Sequence, residues 1–222
     1  MTEKRDKSSR GVTVRVKTAQ GRTTSSTRWL QRQLNDPYVV LAKRDGYRSR
    51  AAYKILELDD KFHFFGKNKK VVDLGAAPGG WSQVAVARCG EDCVVGIDLL
   101  EIPHIPGAEL LQMDFMDDAA PDALKALMGR ADIVLSDMAP NASGQPNLDH
   151  MRIIILAEAA FDFACEVLKP GGVFVAKVWQ GGTEKALLDR LKKSFTTVKH
   201  AKPKASRQDS AENFVVAMGF RG

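Results

Sequence analysis

From Val71 to Ser82 the chain reads Val-Val-Asp-Leu-Gly-Ala-Ala-Pro-Gly-Gly-Trp-Ser, which is a short apolar strand, a glycine-rich turn and the start of a helix. Gly75, Gly79 and Gly80 let the backbone approach a ligand closely, and the following helix N-terminus offers unpaired N–H groups. The spacing is not GxGxxG, which weakens a dinucleotide reading. Two carboxylates stand at the ends of the next two apolar stretches. Asp98 can accept hydrogen bonds from ribose hydroxyls and Asp114 is placed for an adenine amino group, a pairing that suits nicotinamide cofactors and S-adenosylmethionine alike. Taken singly, the glycines are a tight turn and the acids are loop solvators. In succession they describe a nucleoside-binding cleft.

A fourth apolar stretch ends in Ser136-Asp137-Met138-Ala139-Pro140-Asn141, so Asp137 projects a rigid acceptor into the same cleft. Amino-group methyltransferases use a similar Asp/Asn-Pro-Pro turn that ends in an aromatic stacked on the target base. Asn141 holds that last position here, so base-stacking N-methylation loses its key side chain. Lys177 lies within Phe174-Val175-Ala176-Lys177-Val178. A charged group in an apolar strand needs a partner. The ordinary explanations are a snorkelling or salt-bridged structural lysine.

The elements that must position these groups follow from apolar periodicity. The spacing predicts an amphipathic helix from Arg48 to Phe62, then strand Val71–Leu74 and helix Gly80–Arg88. Strands Cys93–Ile97 and Glu109–Gln112, helix Ala119–Met128 and strand Ile133–Ser136 come next. A long helix from about Leu148 to Leu168 stops at Lys169-Pro170-Gly171-Gly172. Strand Val173–Val178 and helix Thr183–Lys193 precede two final strands, Phe195–His200 and Asn213–Met218, with no room for a helix between them. Alternation of this kind means a doubly wound α/β domain with a Rossmann-like, mostly parallel sheet, and the final pair implies an antiparallel closing strand.

The 222 residues suit one compact domain, and the 44% hydrophobic fraction argues against disorder for most of the chain. The formal charge of +6 is unevenly placed. Residues 1–34 hold nine Lys/Arg and two Asp/Glu, so the body is near neutral. Residues 1–27 read as a basic, mobile extension and 28–222 as the single folded domain. Two basic stretches interrupt the body, Lys43–Lys54 and Lys192–Arg207, and such stretches attract polyanions through counterion release. No apolar run approaches the roughly 20 residues of a membrane span. The N-terminus lacks the apolar stretch of a signal peptide, although its Arg, Ser and Thr content leaves a transit peptide open. Three cysteines, Cys89, Cys93 and Cys165, fit neither a disulfide framework nor a zinc site, so reduced thiols in a cytoplasmic protein with no metal are expected.

These residues resemble the FtsJ/RrmJ-like (RlmE) ribose 2′-O-methyltransferases of bacterial large-subunit ribosomal RNA. The likeness runs from about Trp29 to Gly222 and rests on several separated motifs. Ser49-Arg50-Ala51-Ala52-Tyr53-Lys54 resembles the family's first helix with its catalytic lysine. Asp73 to Gln83 matches the cofactor loop, Ser136 to Asn141 the motif of the catalytic aspartate, and Lys177 the second lysine. Ser206-Arg207 and Ser210-Ala211-Glu212-Asn213-Phe214 resemble the closing strand with its glutamate. The resemblance implies a Lys54–Asp137–Lys177–Glu212 tetrad, and S-adenosylmethionine held by Gly75, Gly79, Trp81, Asp98, Asp114 and Asp137.

It further implies as substrate a uridine 2′-hydroxyl in the A-loop of the 23S rRNA, modified on the large ribosomal subunit. Lys177 would be the base, oriented by Asp137, while Lys54 and Glu212 position the ribose. Both basic stretches are expected on RNA phosphates and the chain is expected to be a monomer. Two rivals keep the fold: a methyltransferase for tRNA or cap ribose, and a catalytically idle RNA-binding ribosome-assembly factor. The basic N-terminal extension is longer than the family requires.

Overall fold

The computed structural model describes residues 21, 23–140, 143–179 and 185–222. Two helices open it. In α1 (Thr24–Leu34), the Thr23 side chain accepts a hydrogen bond from the Ser26 N–H. In α2 (Pro37–Asp45), Asp36 does the same for Tyr38 at 3.0 Å, with Pro37 at the first helical position and Gly46 left-handed at the end. The expected boundary after residue 27 therefore falls inside α1. The remaining elements are α3 (Ala52–Phe62), β1 (Val71–Leu74), α4 (Gly80–Cys89), β2 (Val94–Asp98), β3 (Ala108–Gln112), α5 (Ala120–Met128), β4 (Ala131–Ser136), α6 (Pro146–Val167), β5 (Leu168–Trp179), α7 (Lys185–Ser194), β6 (Phe195–Ala201) and β7 (Glu212–Phe220).

The sheet runs β3-β2-β1-β4-β5-β7-β6. The first five strands are parallel, and β7 pairs antiparallel with both β5 and β6. The antiparallel strand is thus inserted between its neighbours, and β6 takes the edge. Lys169–Gly172, expected as a stop between helix and strand, lies within β5 as an irregularity, with the register jumping between Ala131↔Leu168 and Ile133↔Val173.

Strand alternation sorts the core into two layers. Val72, Leu74, Val134, Ala176 and Val215 pack against α5, α6 and α7. Val71, Leu135, Val175, Phe214 and Val216 pack against α3 and α4. Chain order runs outward from β1 on one side and from β4 on the other. The carboxyl ends of these two strands therefore flank the crevice where open α/β sheets bind ligands. Among the described residues, no helix is long and apolar enough to cross a membrane.

Candidate active site

The register of β5 on β7 brings two distant parts of the chain together. Lys177 pairs with Phe214, and Trp179 with Glu212, so Lys177 and Glu212 share the sheet face that α3 and α4 cover. Asp137 is the first residue beyond β4, tied by its N–H to the Leu74 carbonyl at 3.1 Å. Lys54 enters from the first turn of α3, above the same face.

Four charges then alternate in sign. Lys54 Nζ lies 2.7 Å from Glu212 Oε2 and 3.7 Å from Asp137 Oδ2. Lys177 Nζ lies 2.8 Å from Asp137 Oδ1 and donates to the Asp137 carbonyl at 2.7 Å. The four side chains are 9–17% exposed, so each is mostly withdrawn from water yet open at one edge. Burial pushes the Lys54 ammonium toward its neutral form, but the Asp137 and Glu212 carboxylates outweigh it and hold its pKa above the ordinary lysine value. Burial likewise pushes Asp137 upward, and the two lysines, Lys177 first, overcome it and hold the carboxyl below the usual range.

Glu212 is itself fixed by the loop before β7. Ser206 Oγ donates to Glu212 Oε1 at 2.7 Å, and the Glu212 N–H donates to Ser210 Oγ at 3.1 Å. That loop is moored to α3, because Glu57 Oε2 accepts from the Lys204 and Ala205 N–H groups at 2.5 and 3.3 Å. Arg50 bonds both the Ala205 carbonyl and Asp36, binding loop, α3 and the start of α2 into one unit. Ser206 and Ser210 hold Glu212 in place, a part the sequence offered only through their being its neighbours.

A cleft of about 270 Å³ opens beside this constellation, lined by Gly75, Asp98, Asp114, Phe115, Met116, Met138 and Pro140 among others. Gly75 has φ 79°, and a Cβ there would lie 2.8 Å from the Met138 backbone nitrogen, so the loop after β1 can pass that close to the loop after β4 only as glycine. Asp98 is locked by two backbone donors, Ala77 at 2.9 Å and Leu100 at 2.8 Å. Asp114 accepts from the Met116 N–H at 2.9 Å.

Not every expected ligand contact is brought there. The Trp81 side chain is only 3% exposed, packs on Phe214 with ring centroids 5.6 Å apart, and donates its indole N–H to the Ala51 carbonyl at 2.8 Å. Its side chain is core, because the second position of α4 points between the helices. What remains for a ligand is its backbone N–H in the first turn. Gly79, with φ 107°, caps α4 and faces Ile105 and Arg48 rather than the lined cleft. Asn141 and the start of the helix expected at Thr183 lie outside the described residues.

Several cations of the two basic stretches have partners within the protein. Arg48 donates to the carbonyls of Pro78, Pro103 and His104, Arg50 is committed as above, and Arg44 pairs with its neighbour Asp45. Lys202 of the second stretch donates to the Gln208 and Ser210 carbonyls. Arg48, Arg50 and Lys202 thereby hold loops in place.

A family model described as FtsJ-like methyltransferase matches residues 47–220. The chain belongs to that family. The match contains all four charged residues and the whole sheet, and it begins after α1 and α2. Among curated relatives, the chain is 64% identical over 221 residues to "Ribosomal RNA large subunit methyltransferase E" of Paramagnetospirillum magneticum, covering 96% of this chain and 91% of that one. It is 61% identical to the protein of the same name from Sphingopyxis alaskensis, covering 96% and 93%. A solved ribosomal RNA methyltransferase from Plasmodium falciparum superposes with a TM-score of 0.69 at 34% identity, over 79% of this chain and 100% of that one. The FtsJ-like fold is therefore shared well beyond sequence motifs, and methyl transfer is the family's reaction.

Proposed function

We propose that this methyltransferase moves a methyl group from S-adenosylmethionine to a ribose 2′-hydroxyl of large-subunit ribosomal RNA, with a uridine of the A-loop as the target. The observation that carries the reading is the alternation of Lys54, Glu212, Asp137 and Lys177 beside a nucleoside-sized cleft. The relatives named for large-subunit rRNA support the substrate class.

The residues lining the cleft fit the donor. Asp98 and Asp114 offer carboxylates for the ribose and adenine, and Phe115, Met116 and Met138 offer apolar walls for the ring. When bound, S-adenosylmethionine supplies a methyl already activated by its sulfonium. The protein's share is to place the hydroxyl oxygen in line with that methyl and to take the proton.

Lys177 is the base. A lysine has three directions for N–H groups or a lone pair. Two of them point at the Asp137 carbonyl and carboxylate, which leaves the third for the incoming hydroxyl. Lys54, held by Glu212, steadies negative charge on the ribose oxygen, and the serine-fixed Glu212 orients the sugar. Alignment of this kind can supply about 7–11 kcal/mol of barrier lowering by itself.

The test incubates the full chain and labelled S-adenosylmethionine with large ribosomal subunits, naked rRNA and tRNA in parallel, followed by alkaline hydrolysis. Label in alkali-resistant dinucleotides from the subunits is expected, because a 2′-O-methyl blocks strand cleavage. Label chiefly in tRNA would redirect the substrate, label in ordinary mononucleotides would mean base methylation, and no label in any RNA would mean a non-catalytic factor.

A further inference from the structure

A second cavity, of about 470 Å³, adjoins the tetrad, with Lys54 and Glu212 in its lining together with Ser210. Ser210 and Glu212 also line a smaller cleft that reaches Lys177, so Glu212 stands between the two spaces. A chain laid across Glu212 with its ribose at the tetrad must send one neighbouring linkage into the larger cavity.

The cations of that cavity differ in how they are used. Lys54 is paired with Glu212, and Arg50 with Asp36 and the Ala205 carbonyl. Arg32, exposed in the last turn of α1, has no ion pair among the described residues. Arg207 lies 3.8 Å from Asp36, beyond hydrogen-bond reach, and a third of its side chain is open. The cavity's one other acid, Asp209, is exposed. Two guanidiniums thus face a groove beside the reacting sugar with their forks largely unfilled, and a planar fork matches the oxygens of a phosphate.

We infer that Arg32 and Arg207 form a clamp for the RNA phosphodiester flanking the target ribose, with Asp209 setting an upper bound on its strength by repulsion. The inference rests on the ribose-methylation reading above. It gives α1, which lies ahead of the residues matched by the family model, a direct part in substrate binding.

The test measures binding of a fluorescein-labelled single-stranded oligoribonucleotide to the full chain across a salt series. Arg32→Ala and Arg207→Ala should each weaken binding and flatten the slope of log affinity against log salt by about 0.7, the value for one lost single-strand phosphate contact. Asp209→Asn should tighten binding, which a merely structural role would not produce. Arg32→Lys and Arg207→Lys should keep the slope and lose part of the affinity, since charge remains while the fork is gone. Lys125→Ala, on α5 and paired with Glu166, is the control expected to match wild type. Wild-type slopes in both alanine variants would overturn the clamp. Methyl transfer to large subunits by the wild-type chain is followed separately: its absence would overturn the ribose-methylation reading, while the salt slopes would still decide whether the cavity binds phosphate.

Discussion

Asp73 and Asp137 are both withdrawn carboxylates, one within β1 and the other just past the end of the adjacent β4, and their pKa values are shifted in opposite directions. Asp73, in β1, is fully buried, and its Oδ2 accepts from Ser82 Oγ at 2.6 Å. Its Oδ1 has no hydrogen-bond partner, and burial, only partly offset by Ser82 and reinforced by Asp137 and Asp98, pushes its pKa up to about 7. Asp137, one strand away, has two lysines and is held below the ordinary carboxylate range. Burial raises both; the partners decide which way each ends. The contrast is between a buried acid of the scaffold and a buried acid proposed to act in the reaction.

The largest effect is expected from replacing Asp137, the acid proposed to act in the reaction. Asp137→Asn leaves Lys177 and Lys54 without their shared counterion. Methyl transfer should fall by roughly 10²–10⁴-fold, and stability by about 3 kcal/mol, measured by labelled transfer and by chemical denaturation. In the same variant the Asp73 carboxyl should titrate below its wild-type midpoint, because a neighbouring negative charge is gone.

Asp73→Asn should act in the reverse sense. A carboxyl whose folded pKa lies above its unfolded value of about 3.9 binds more protons when native, so it lowers stability as pH rises from about 4 to about 7. Denaturation of Asp73→Asn and wild type should coincide near pH 4 and diverge by up to about 4 kcal/mol in the variant's favour above pH 7. The tetrad has the complementary profile. The Asp137 contribution is present above its unfolded pKa and lost as pH falls through its lowered folded value. The Lys54 contribution is present below about 10.4 and lost as pH rises through its raised folded value. A stability difference between Asp137→Asn and wild type that failed to shrink as pH falls below about 4 would contradict this assignment.

Smaller effects come from the supports. Ser206→Ala removes a charge-assisted bond to Glu212 and should cost about 1.5–3 kcal/mol, read as a fall in transfer rate with donor affinity unchanged. Trp81→Phe should cost about 1 kcal/mol of stability through the lost bond to Ala51 while leaving S-adenosylmethionine affinity, by calorimetry, near wild type. A large loss of donor affinity there would return Trp81 to the cleft.

Much of this was legible in the chain itself, because period and punctuation are local. β1 and the glycine turn carry their own signals, and each strand of the sheet was placed within a few residues. The cleft residues Gly75, Asp98 and Asp114 could be read because they sit at strand ends, where topology alone sends them to one crevice. α1 and α2 were not read as helices: Ser and Thr around Thr23 resemble a polar tail, although the Asp36-Pro37 start signal was present. The insertion of β7 between β5 and β6 was hidden as well, since strand order leaves no periodicity. Glu212 was reachable only through family likeness, its partner Lys54 lying across the fold. Within the basic stretch from Lys43 to Lys54, a sequence cannot display the carbonyls of Pro78, Pro103 and His104 that take up Arg48.

Lys177, held at two points by Asp137, is the group proposed to receive the ribose proton. That role is tested most directly with Lys177→Ala, measuring S-adenosylmethionine binding and methyl transfer to large ribosomal subunits separately. Donor binding near wild type is expected, with transfer reduced by about 10²-fold or more. Transfer at the wild-type rate would contradict that role.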